Sequence, residues 1–203
     1  FGLRWNVVDR VQVFTHPLWC FLLIALGWLV GNLPLAALWF SILMSITAFL
    51  LIVPRPGREN WDLVLLALLI PASKAVIQFG TSGLEGPLAY LLLVLLILAA
   101  GGLKPDWHRH DRWVPLLGAA VILTRPDLIL IAAPLCIAWV ARKGLRRAAV
   151  AIVVGTAVLA LWEIFSFIYY GSLVPNTAFA KLYAGLPFFD GVLQGLRYNA
   201  DFV

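Results

Sequence analysis

Long apolar runs separated by short polar or basic stretches set the pattern of this chain. Residues 1–15 are mixed and polar and end in a His16-Pro17 turn. The run over 17–31 is too short for a full crossing, since about 20 apolar residues are needed to span about 30 Å of hydrocarbon, and it predicts a re-entrant or juxtamembrane helix. The run over 34–53 is long enough to span, 61–79 spans again, and 84–100 returns. Residues 113–123 and 127–141 are two apolar pieces hinged at Arg125-Pro126, because proline lacks an N–H and drives the residue before it out of the helical region. Residues 148–170 make the last span. The pattern predicts an all-α fold, a polytopic transmembrane helical bundle.

Three polar islands interrupt this pattern: Thr81-Ser82-Gly83-Leu84-Glu85, Leu123-Thr124-Arg125-Pro126-Asp127, and Tyr169 through Thr177. Charged residues within or beside membrane segments are functional suspects by default. The basic residues fall between the islands: Arg55 and Arg58; Lys104, Arg109 and Arg112; and Arg142, Lys143, Arg146 and Arg147. Basic loops favour the cytoplasmic side. All nine can lie there together if 17–31 does not cross and 113–141 makes a there-and-back pair. That threading puts His16, Glu85, Arg125, Asp127, Asn176 and Lys181 on the exoplasmic face.

Composition narrows the function classes. Of 203 residues, 63% are hydrophobic and 12% charged, far from the roughly half apolar and quarter charged of a soluble domain. Nine Trp and five Tyr suit interfacial anchoring. The net charge of +5 sits in the loops between spans and reads as a topology signal, so nucleic acid is not an expected partner. Cys20 and Cys136 each lie in an apolar run, which argues against a structural disulfide, and no metal-ligand spacing is present.

Each island also has an ordinary structural reading. Glu85 can cap the helix that follows it. Arg125 and Asp127 can pair locally at a kink, or Arg125 can present its planar fork to a ligand phosphate. His16-Pro17 suits a helix start with proline at the first position. Lys74 and Glu163 can form a buried ion pair or snorkel. There is no phosphate loop at 83–86 and no Ser/His/Asp order. A transporter or lipid flippase is the alternative function, but no convincing internal repeat supports it. A membrane scaffold would leave the islands dispensable.

Gly2-Leu3-Arg4-Trp5-Asn6 and the stretch from Arg10 to Trp19, followed in order by the three islands through Lys181, resemble integral-membrane glycosyltransferases of the GT-C superfamily, in particular the bacterial arabinofuranosyltransferase-like group. The resemblance covers essentially the whole chain. It implies a polyprenyl-phosphate sugar as donor and a glycan, lipid or protein acceptor entering from the exoplasmic side of the bacterial cytoplasmic membrane; no cofactor is certain, and no residue is assigned as a metal ligand. It also implies Arg125 and Lys181 as contacts to the donor phosphate. His16, Glu85, Asp127 and Asn176 would be substrate-binding. The family's catalytic base, usually an Asp-Asp pair, lies upstream of the segment matched here, and Asp9 does not fit its position. The expectation is an internal fragment: 1–16 closing an exoplasmic loop, 17–31 a juxtamembrane helix, 34–170 transmembrane helices, 171–203 an exoplasmic loop, and the base before Phe1.

Overall fold

The structure, a computed structural model, describes residues 10–12, 14–52, 64–65, 68, 74–101, 111–175, 177 and 188–200. Among them every regular element is helical: α1 (Pro17–Val30), α2 (Leu33–Ile52), α3 (Lys74–Gly80), α4 (Gly86–Gly101), α5 (Val114–Thr124), α6 (Ile129–Lys143), α7 (Leu145–Tyr170) and α8 (Phe188–Ala200). Short 3-10 turns, Asp111–Trp113 and Pro126–Leu128, lead into α5 and α6. The fold is all-α. By length and composition, α2 and α7 can cross a membrane, with mean hydropathies of 2.3 and 2.2. Only 22% and 11% of their most apolar stretches are buried, unlike the core helix of a soluble protein. These two and the shorter apolar helices are consistent with a helical membrane bundle.

The chain divides into two compact units, His16–Glu163 and a second made of Phe1–Thr15 with Ile164–Val203. In the first, the buried side chains are mostly small. Helix α2 buries Ala36, Ala37, Ser41 and Ala48, while Trp39, Leu43 and Leu50 point outward. The core joins Leu96, Ala99 and Ala100 of α4 to Val114, Val121, Ala132, Trp139 and Ala148. Large apolar residues such as Trp28, Leu130 and Val150 face out. Hydrocarbon is as apolar as leucine, so membrane helices associate through small residues that let backbones approach.

Two glycines show how close that approach is. A Cβ on Gly155 of α7 would lie 2.6 Å from the Pro115 carbonyl oxygen, and one on Gly118 of α5 would lie 2.7 Å from Cys136 Sγ of α6. Both cysteines are free thiols.

This unit has two chemically distinct ends. At one, Arg142 near the end of α6 donates to the carbonyl of Ala100 near the end of α4. At the other lie the starts of α1 and α4 and the end of α5. Helix α2 also starts there, since Ala37 lies against Gly83, with 3.6 Å between its Cβ and the position a Cβ on Gly83 would take. Helix α1 therefore leaves this end at His16 and hands the chain back to it through the left-handed Gly31 and the Asn32 side chain, which accepts from the Leu35 N–H. Lys74 opens α3 as an exposed residue, which rules out its being one half of a buried ion pair. Glu163 is partly exposed on α7.

In the second unit the last turns of α7 carry an aromatic cluster. Phe165 stacks on Tyr169, Tyr170 meets Phe14 and Phe165 edge-on, and the Arg10 guanidinium lies 5.2 Å from the Tyr169 ring centroid. Buried Ser166 bonds both the Gln12 side chain and the Ser172 carbonyl. Helix α8 falls where a loop is expected from the sequence. Gly191 and Gly195 hide its pattern, each costing about 1 kcal/mol of helix propensity relative to alanine.

Candidate functional site

The site is built at the island end of the first unit from three turns. In the first, Thr81 and Ser82 hydroxyls donate back to Ile77 and Phe79 carbonyls, Ser82 Oγ accepts from the Leu84 N–H, and Gly83 takes φ 72°. That left-handed conformation strains any residue with a Cβ. It delivers Glu85, whose carbonyl accepts the first bond of α4 from Ala89. In the second turn, Thr124 returns its hydroxyl to Ala120, and Arg125 is extended (φ −148°, ψ 106°) ahead of Pro126, as a residue before proline should be. The third is the start of α1, where His16 precedes Pro17 and its carbonyl accepts from Cys20.

His16 joins the three. Its Nε2 lies 3.3 Å from Glu85 Oε1 and its Nδ1 lies 2.8 Å from the Thr124 carbonyl oxygen. Their side chains are only 29% and 15% exposed. The Thr124 carbonyl can only accept, so the bond at that end is donated by the ring's Nδ1–H, and Nε2 is left facing the Glu85 carboxyl group.

One residue past Thr124, Arg125 forms a two-pronged pair with Asp127, Nε to Oδ1 at 3.1 Å and Nη2 to Oδ2 at 2.9 Å. That hydrogen bonding is the main reason the Arg125 guanidinium is held above its usual range and the Asp127 carboxyl below its own; Glu85 adds a smaller pull on Arg125, and His16 on Asp127. Two of the five guanidinium N–H groups are used here, which leaves three for another acceptor. Arg125 is 41% exposed and Asp127 60%, so the pair is open to a ligand.

Below this turn lies an open apolar cleft of about 480 Å³ between α5, α6 and the first half of α7. It starts at Ile122 and Ile129, which bracket the Arg125 turn, and reaches Val140 and Ala141, with Cys136 and Thr156 its least apolar walls. At 1.5 Å per residue, its length along α6 is roughly 18 Å. The end that holds Arg125 is charged and the cleft is oily, a combination that fits an amphiphile with an anionic head.

The sequence-derived candidates thus separate. His16, Glu85, Arg125 and Asp127 come together, while Asn176 and Lys181 lie outside the described residues. The Thr124 carbonyl, the third member of the His16 tie, has no signature in the sequence, because a backbone acceptor is not specified by side-chain identity. Among the described residues, no group of three or more His, Cys, Asp or Glu is placed to hold a metal.

No family model and no solved structure matches the chain. Over 219 residues it is 29% identical to the terminal beta-(1->2)-arabinofuranosyltransferase of Mycobacterium tuberculosis (strain ATCC 25618 / H37Rv), an alignment covering 99% of this chain and 34% of that protein. The chain therefore spans about a third of the length of the curated relative to which it is similar.

Proposed function

We propose that this chain forms part of a membrane glycosyltransferase that takes its sugar from a polyprenyl-phosphate donor, and that the Arg125 turn with the cleft beneath it is where the donor binds. The observation that carries this reading is the placement of a partly free guanidinium above an oily cleft, in a chain similar along its whole length to an arabinofuranosyltransferase. The phosphate would take the N–H groups of Arg125 that Asp127 leaves open, and the isoprenoid would lie along α6. Lys181 is a second phosphate contact in this reading, and Asn176 a contact to the sugar.

In the transfer, the bond from the sugar's anomeric carbon to the phosphate oxygen breaks as a bond to the acceptor oxygen forms. Charge grows on the departing phosphate, and a fixed guanidinium stabilises it most at that point. The acceptor's proton needs a carboxylate base. Neither Glu85 nor Asp127 is offered for that role, since Glu85 is engaged by the His16 ring and Asp127 by the Arg125 guanidinium. His16 and Glu85 instead hold the mouth of the site in shape. The exoplasmic face of a bacterial cytoplasmic membrane is the side this reading assigns to the mouth, with a glycan, lipid or protein as acceptor.

Membranes containing the natural protein at full length should form a glycosidic product from radiolabelled polyprenyl-phosphate sugar. Vesicles that instead move the lipid or a solute across the bilayer, with no glycosidic bond made, would replace this reading with that of a transporter or flippase.

A further inference from the structure

The feature that the proposed donor site leaves unused is helix α8. Its outward apolar residues, Phe189, Val192, Leu193 and Leu196, are all exposed, Phe189 at 83%. At 3.6 residues per turn they form one stripe on an arc of about 100°. Asp190, Gln194 and Arg197 fall outside it. A 13-residue helix is roughly 20 Å long, which is too short to cross the hydrocarbon.

Position in the chain narrows what can cover that stripe. In the same unit, α7 is the 26-residue apolar helix that ends at Tyr170 in the cluster of Phe165, Tyr169, Tyr170 and Arg10. Aromatic rings and a cation at the end of a spanning helix mark the headgroup level. Helix α8 follows in the same stretch of chain, tethered to a point where a membrane surface is always at hand. The charged residues on its polar side, Asp190 and Arg197, are one of each sign, so the attraction comes from the apolar stripe and not from anionic headgroups.

We infer that α8 lies in the plane of the membrane interface, with Phe189, Val192, Leu193 and Leu196 among the upper acyl chains and Asp190, Gln194 and Arg197 toward water. Its occupant is the bilayer itself. A stripe of this kind settles about 5–10 Å into the boundary between headgroups and acyl chains. The inference is independent of the donor site.

The test uses the full chain in phosphatidylcholine vesicles, with single nitroxide labels at Asp190, Val192, Leu193, Gln194, Leu196 and Arg197. Collision with oxygen, which concentrates in hydrocarbon, is compared with collision with a water-soluble nickel complex. The expected result is an oxygen-to-nickel ratio severalfold higher at Val192, Leu193 and Leu196 than at Asp190, Gln194 and Arg197, unchanged when anionic lipid is added. Uniform access to nickel would overturn the inference in favour of a solvated helix. Protection of the stripe from both reagents would overturn it in favour of a protein partner, and penetration only with anionic lipid would show charge as the driving force. As a control that keeps α7 in place, Leu193→Asp with Leu196→Asp should abolish the ratio at Val192 while labels on α7 keep theirs.

Discussion

His16 Nε2 stands 3.3 Å from Glu85 Oε1 while its Nδ1 meets the Thr124 carbonyl at 2.8 Å, so one imidazole ties the starts of α1 and α4 to the end of α5. The sequence separation from His16 to Thr124 is 108 residues, so the contact fixes tertiary structure and not a local turn. Arg125 follows Thr124 directly, and its extended backbone starts from that tethered carbonyl. The consequence is that His16 positions Arg125 without touching it.

A double-mutant cycle of His16→Ala and Glu85→Ala should therefore show coupling. Residues in direct contact typically couple by 0.5–3 kcal/mol, and thermal unfolding in detergent reads it. His16→Gln, whose amide can keep one of the two contacts but cannot span both, should fall between the wild type and His16→Ala. Strict additivity of the two alanine changes would show that the contact contributes nothing to stability.

The Arg125–Asp127 pair has a defined pH signature. Asp127 is held below its ordinary value chiefly by the hydrogen bond from Arg125, so the folded state binds its proton less readily than the unfolded state does. Its stabilising contribution is complete above the unfolded carboxylate value of about 3.9 and is lost as pH falls through the lowered folded value. The melting temperatures of wild type and Asp127→Asn should differ by a constant small amount near neutrality and converge only in acid. Convergence on raising the pH would contradict the pairing.

Close helix packing makes a third prediction. Gly155→Val drives a side chain into the Pro115 carbonyl, which cannot rotate away, and should destabilise by about 1–3 kcal/mol, the usual cost of overpacking. Gly118→Ala meets Cys136 Sγ, the end of a side chain, and should be relieved by Cys136→Ala in the same protein. Equal, unrelieved losses at both glycines would show that the α5 seam is not packed as described.

The hinge at Arg125-Pro126 and the short first helix were legible because proline chemistry and run length act locally. Pro126 obliges Arg125 to be extended, and the run after His16 is too short to span, whatever surrounds either of them. The meeting of His16 with Glu85 was legible only as membership of a common face. Its geometry depends on a backbone carbonyl that no residue type announces. The cleft was not legible at all, because it is the space left where Gly118 and Gly155 draw three helices together. Helix α8 was not legible because Gly191 and Gly195, on the side away from the stripe, lower its helix propensity in a segment otherwise rich in turn formers.

The most direct measurement is sugar transfer from radiolabelled polyprenyl phosphate by the natural full-length protein with Arg125 replaced. Removing a donor that acts on developing charge costs on the order of 100- to 1,000-fold in rate, and Arg125→Ala should lose at least that much while inserting into membranes normally. Arg125→Lys should recover only part of it, because an ammonium cannot present the planar fork. Wild-type turnover in Arg125→Ala would contradict the placement of the donor phosphate at this turn.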